Sequence, residues 1–179
     1  MVKVREAEVA DLSKLIDLRL KMVNTCPDSF LDDYGELSEW TVADWGEWFS
    51  RLTEAKNSNL IVAEDGEELV GIVGCKGVKH KRAAHVATLV GVGVLPEYRG
   101  KGIGRAMLEK IISWVKNETK IERLQLTVYA DNETAIKFYE KLGFVKEGLF
   151  KNYAKSVNGN YQDGLVMAMF FPREEVKNR

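Results

Sequence analysis

The passage from Leu89 through Gly104 constrains this chain more than any other. An apolar run, Leu89-Val90-Gly91-Val92-Gly93-Val94-Leu95, has the make-up of a buried strand, and Pro96 stops it. Pro96-Glu97-Tyr98-Arg99-Gly100-Lys101-Gly102-Ile103-Gly104 then places three glycines within five residues, beside two cations. A helix follows, with Leu108, Ile111, Ile112 and Val115 at helical spacing. Strand, glycine-rich turn and helix is how a chain aims backbone N–H groups at a phosphate. The first-turn N–H groups of a helix have no internal partner, and its dipole adds roughly half a positive charge. Glycine lets the backbone approach the ligand and take positive φ. Arg99, Lys101 and Arg105 add formal charge. Two nucleotide loops are excluded directly. G-x-x-x-x-G-K-[ST] lacks its Lys-Ser or Lys-Thr pair in frame. G-x-G-x-x-G fails because Gly100, Gly102 and Gly104 run G-x-G-x-G with Arg at 105.

A third pattern fits. Arg99-Gly100-Lys101-Gly102-Ile103-Gly104 follows R/Q-x-x-G-x-G/A and resembles the pyrophosphate loop of the GNAT superfamily of acyl-CoA-dependent N-acetyltransferases. Val92 to Tyr98 resembles that family's central strand and its exit. Asn132 to Phe144 resembles its second signature, N-x-x-A-x-x-F-Y-x-x-x-G-F, in the expected order along the chain. The resemblance implies an α/β (α+β) fold: a mixed, mostly antiparallel central sheet flanked by helices on both faces. Its two parallel central strands splay apart to admit the pantetheine arm. It also implies one acetyltransferase domain over residues 1–172, followed by a charged, frayed tail over 173–179.

Composition is compatible with this and narrows the rest. The chain has 179 residues, 45% hydrophobic and 30% charged, with net charge −1. These are the proportions of one soluble globular domain, without the basic face that nucleic-acid binding needs. No apolar run approaches the eighteen or so residues of a membrane span, and the charged start, Met1-Val2-Lys3-Val4-Arg5-Glu6, lacks a signal peptide's apolar stretch. The expectation is a cytoplasmic protein. Two cysteines, Cys26 and Cys75, form no disulfide framework, and two histidines, His80 and His85, form no metal motif. No metal is expected.

Around the loop, the elements read in order. Val2, Val4 and Ala7 suggest a short strand. Asp11 is placed to cap a helix with Leu12, Leu15, Ile16, Leu20 and Val23 on one face, ended by Cys26-Pro27. Asp28 to Glu39 is acidic and reads as irregular. Thr41 with Asp44 looks like a capping arrangement ahead of a helix carrying Trp45, Trp48, Phe49 and Leu52. Leu60–Ala63, an Asp65-Gly66 turn and Glu68–Lys79 make a hairpin, and His85–Leu95 is the central strand. Leu124, Leu126 and Val128 mark a half-buried strand; Asp131 or Asn132 caps the next helix, and Gly143 ends it. Phe144–Val157 and Tyr161–Phe171 read as a long hairpin.

The resemblance assigns roles within this frame. N–H groups of Gly100, Lys101, Gly102, Ile103, Gly104 and Arg105 would hold the pyrophosphate of acetyl-CoA, with Arg99 and Lys101 assisting. Main-chain groups of Val92 and Val94 would hold the pantetheine arm, and an N–H near Val92 could polarise the thioester oxygen. Asn132, besides capping, would reach the cosubstrate. Tyr139 matches the family's general acid; a phenol with pKa near 10 stays protonated at neutral pH. The general base is less legible. Ala87-Thr88-Leu89-Val90-Gly91 holds no carboxylate where many relatives carry one. His85, at the start of the strand, is the candidate, against the plainer reading of a strand-end histidine. An α-amine (pKa about 7.7–8.0) is easier to deprotonate than a lysine amine (about 10.4) by roughly 3–4 kcal/mol, so a missing base favours a low-pKa acceptor.

Phe30 and Tyr34 in the acidic segment, and Tyr161 and Asp163 in the C-terminal hairpin, are the candidate acceptor residues. Gly159-Asn160-Tyr161-Gln162-Asp163 with Met167 resembles the G-x-Y-x-D-x-x-x-M tail of a branch that includes amino-acid, antibiotic and ribosomal-protein N-terminal acetylases. The expected acceptor is a small-molecule primary amine (amino acid, polyamine-like or antibiotic). The alternatives are a protein N-terminus, or a non-catalytic acyl-CoA-binding module. Exposed edges in the hairpin are compatible with a homodimer.

Overall fold

The computed structural model describes residues 1–172; the tail expected over 173–179 lies outside the described residues. Seven strands form one sheet in the order β1-β2-β3-β4-β5-β7-β6. They are β1 (Lys3–Glu6), β2 (Asn59–Asp65), β3 (Glu68–Gly77), β4 (Val86–Val94), β5 (Arg123–Tyr129), β6 (Val145–Lys155) and β7 (Tyr161–Phe170). Every adjacent pair is antiparallel except β4 and β5. The helices are α1 (Leu12–Thr25), α2 (Tyr34–Ser38), α3 (Val42–Thr53), α4 (Ile103–Glu118) and α5 (Glu133–Leu142). This is the mixed, mostly antiparallel architecture expected, with one helix more than the sequence suggested.

Side chains alternate across a strand, and the glycines of β3 show what covers each face. A Cβ on Gly71 would strike Met107 of α4; one on Gly74 would meet Leu52 of α3. Met107, Leu108, Ile111 and Val115 bury the apolar stripe of α4 completely. The capping box is present: Thr41 N donates to Asp44 Oδ2 at 2.8 Å, and Asp44 N donates to Thr41 Oγ1 at 3.3 Å. It starts an amphipathic helix that buries Trp45, Phe49 and Leu52.

Four readings need correction. Asp11 does not cap α1 with its side chain; its carboxylate accepts from the Arg5 guanidinium at 2.6 and 2.8 Å and from Glu8 N at 2.8 Å. The buried face of α1 is rotated from the one expected. Leu15, Leu18, Arg19, Met22 and Val23 are buried, while Leu12, Ile16 and Leu20 are half-buried. The acidic segment is partly ordered into a 3-10 turn (Pro27–Ser29) and α2, whose first turn is capped by Asp33 accepting from Glu36 N at 3.1 Å. The final hairpin is irregular between Phe150 and Ala154. There Asn152 takes φ 53° and its N–H donates to Asp163 Oδ1 at 3.0 Å.

Candidate active site

Strands β4 and β5 pair only at Val86–Arg123, Ala87–Leu124 and Thr88–Gln125. Gln125 Nε2 donates to Thr88 Oγ1 at 3.3 Å at this vertex. Beyond it β5 stays with β7 as far as Tyr129, while β4 continues from Leu89 to Val94 with no strand on that side among the described residues. A bulge helps to turn β4 away. Ile72 faces Gly93 and Gly74 faces Val90, so Val73 alone spans Gly91 and Val92. Gly91 takes φ 60°, which glycine accepts without penalty, and such bulges increase local twist. The result is a V-shaped gap with backbone polar groups along one wall, the kind of groups that need partners when buried.

The open end of the gap leads to α4. Gly100 and Gly102 take φ 74° and 80°, and Gly102 caps the helix without a side-chain bond. The first helical bond is Ala106 N to Gly102 O at 3.0 Å. Among the described residues, the N–H groups from Gly100 to Arg105 have no protein partner. Among the described residues nothing would lie within 4 Å of a Cβ on Gly100 or Gly102, so the loop surface is open there. A fan of unpartnered donors at a positive helix end fits a pyrophosphate. The flanking cations are engaged otherwise. Arg99 Nε donates to Val94 O at 3.0 Å and its Nη2 to Cys26 Sγ at 3.2 Å. Lys101 lies 4.9 Å from the Tyr98 ring centre, and Arg105 pairs with Glu109 at 2.8 Å. The main chain, more than these side chains, is therefore what the loop offers an anion.

Helix α5 brings the second signature beside the first: a Cβ on Gly104 would lie 3.6 Å from Phe138 Cζ. Asn132 Oδ1 accepts from Ala135 N at 3.1 Å, an N-cap that leaves its amide nitrogen for other work. Tyr139 is 8% exposed, packed edge-on against Phe144 at 5.7 Å and beside Phe138 at 5.5 Å. Burial raises its pKa, so the phenol is held protonated.

The profile described as the Acetyltransferase (GNAT) family matches residues 21–144, which span the gap, the loop and both signatures. The chain belongs to the GNAT acetyltransferase family. It is 34% identical over 121 residues to the L-amino acid N-acetyltransferase AaaT of Escherichia coli, covering 68% of this chain and 74% of that protein. It is 37% identical over 83 residues to the [ribosomal protein bS18]-alanine N-acetyltransferase of Escherichia coli, covering 46% and 55%. A GNAT-family acetyltransferase structure from Streptococcus pneumoniae superposes with TM-score 0.86 at 27% identity, covering 96% of this chain and 100% of that one. The protein is accordingly an acetyl-CoA-dependent acyltransferase with a GNAT fold.

On the face of β4 opposite α4 lies the other half of this GNAT site. A Cβ on Gly93 would meet Met22 Sδ at 3.1 Å and Phe30 Cζ at 3.2 Å. Phe30 O accepts from the Tyr129 hydroxyl at 3.1 Å, across from the end of β5. Asp28 Oδ1 accepts from Val157 N at 2.9 Å, at the tip of the β6–β7 hairpin. The segment after α1 thus bridges the gap. Tyr34 is exposed at the start of α2, and Tyr161 is exposed with Lys155 5.1 Å from its ring centre. Asp163 pairs with Lys151 at 2.7 Å and holds Asn152 N, so it shapes the hairpin.

The structure does not bring His85 to these groups. It is exposed, one residue before the first β4–β5 pair, and its carbonyl accepts from Glu122 N and Arg123 N at 2.8 and 3.1 Å. Seven residues of strand separate it from Val92, on the order of 20 Å at about 3.3 Å per residue, and it stands at the closed end of the V. Arg19 was not anticipated. Its side chain is buried on α1 and ion-paired with Asp32, and its Nη1 lies 3.5 Å from where a Cβ of Gly91 would stand. The available signal was its spacing, four residues after Leu15 and four before Val23, on the apolar stripe.

Proposed function

We propose that this enzyme transfers the acetyl group of acetyl-CoA directly to the primary amine of a small molecule. The observation that carries this reading is the bridging of the gap by the Phe30 segment, packed against Gly93 of β4 on one side and tied to Tyr129 of β5 and Val157 of the hairpin tip on the other. A bridged gap suits a small acceptor; a protein N-terminus needs an open groove. In this reading Gly100 to Arg105 hold the pyrophosphate, Val92 and Val94 flank the pantetheine arm, and Asn132 reaches the cosubstrate. The Val94 carbonyl already accepts from Arg99 Nε and has a second lone pair for that arm. The amine attacks the thioester carbon, a C–N bond forms and the C–S bond breaks. The amine's surplus proton passes to solvent, and the departing sulfur receives one from Tyr139, which solvent reprotonates before the next turnover.

The relative that acetylates bS18 supports a second reading, acetylation of a protein N-terminus. The test is acetyl-CoA-dependent thiol release at pH 8 with amino acids, polyamines, aminoglycosides and short peptides with free α-amines. A no-acceptor control subtracts the protein's own thiols. Turnover of small amines is the expected result. Turnover of peptides alone moves the function to protein N-termini, and silence with intact CoA binding makes the chain a binding module.

A further inference from the structure

Arg19 is a buried cation that is only partly paired. The residue is 3% exposed, and its environment opposes its charge. Among the described residues its one ionic partner is Asp32, whose side chain is 42% exposed and which bonds Nη2 alone. Nη1 is buried with no hydrogen-bond partner among the described residues. A buried donor left unmade costs about 1–3 kcal/mol. A planar guanidinium suits a carboxylate through two parallel bonds, and here it makes one such bond, to a side chain that solvent can reach. The Phe30 ring also meets it, with the guanidinium carbon 5.2 Å from the ring centre.

Its position matters as much as its state. Nη1 lies 3.5 Å from where a Cβ of Gly91 would stand, and among the described residues beyond Gly91 and its chain neighbours only Arg19 comes within 4 Å of that point. Gly91 immediately precedes Val92, inside the bulge that opens the gap. We infer that Arg19 is the acceptor-recognition residue and that the acceptor is a free α-amino acid. Its carboxylate takes the place of Asp32 and bonds both Nη1 and Nη2. In an α-amino acid the amine and the carboxylate share one carbon, so a carboxylate on Arg19 keeps the amine beside the β4 bulge. Asp32 then serves as an internal carboxylate that keeps the guanidinium paired between substrates. This inference rests on the acetyltransferase reading of the same gap.

Binding and turnover separate the two. With CoA saturating, each free L-amino acid and its carboxamide is titrated by calorimetry into wild type, Arg19→Met and Asp32→Asn. Met fills a similar volume without a charge, and the Asp32 carboxylate it leaves behind is 42% exposed and stays hydrated. The expected result is at least one acid that binds wild type tenfold or more tighter than its amide. That preference falls below threefold in Arg19→Met. In Asp32→Asn, where the competing charge is gone, the acid binds more tightly than in wild type while its amide does not. Equal binding of acids and amides, no binding of any acid, or a preference that survives Arg19→Met overturns the inference. Failure of thiol release with every amine would instead overturn the acetyltransferase reading, and the titration would still decide the role of Arg19.

Discussion

A phenol enclosed by aromatic rings loses the hydration that would stabilise its phenolate, and so Tyr139 holds its proton beyond the ordinary phenol range. That is the state a donor to a departing thiolate needs. Tyr139→Phe keeps the packing against Phe144 and removes only the hydroxyl. Its kcat should fall by about 100-fold or more, with CoA affinity unchanged in a direct titration; a kcat within twofold of wild type would exclude the acid role. Because the shift is upward, wild-type kcat should also not decline between pH 8 and 10. A second residue-scale expectation concerns Asp11. Arg5 holds the Asp11 and Glu64 carboxyls below their usual pKa values. Groups depressed by folding add stability that is complete above their unfolded pKa, near 4, and is lost as pH falls through the folded value. Asp11→Asn should cost about 1–3 kcal/mol at pH 7 in urea unfolding. The gap to wild type should narrow at pH 3, and a gap independent of pH would deny the ionic contribution.

At the scale of elements, the turn into α4 tests the anion cradle. Gly102 sits at φ 80°, where a Cβ costs about 1–2 kcal/mol, and relaxing that strain would redirect the N–H fan. Gly102→Ala should raise KM for acetyl-CoA at least tenfold in initial-rate measurements and leave acceptor KM unchanged. An unaltered acetyl-CoA KM would mean the loop does not hold the pyrophosphate. This turn was legible in the sequence because its chemistry is local: glycines where φ is positive, proline where the strand stops. The Thr41–Asp44 box and the Gly143 helix end were legible for the same reason. What escaped was tertiary. A five-residue helix such as α2 is too short to show a period. The irregular hairpin depends on Asp163 reaching Asn152 across two strands. His85 looked eligible because nothing in a strand's sequence says which end its parallel neighbour leaves open. Arg19 carried a periodic signal, but its meaning lies with Asp32 and Gly91, which only the fold brings near.

For the whole molecule, the decisive fact is that β4 is approached from both faces. Helix α4 and its donor loop lie on one side, and Arg19, Met22 and Phe30 on the other. Two substrates entering from opposite faces can be present together, and then no covalent acetyl-enzyme is required. Cys75 agrees with this. Cys75 is fully buried and its thiol is pushed up to about 12, leaving almost no thiolate at neutral pH. Cys26 lies at the end of α1, where its sulfur accepts a hydrogen bond from Arg99. Initial rates measured against both substrates should therefore give intersecting double-reciprocal lines. Intact mass after incubation with acetyl-CoA alone should match the unmodified chain. Parallel lines together with a mass gain of one acetyl group would place a covalent intermediate on the enzyme. The two faces of β4 would then be serving successive half-reactions instead of one ternary complex.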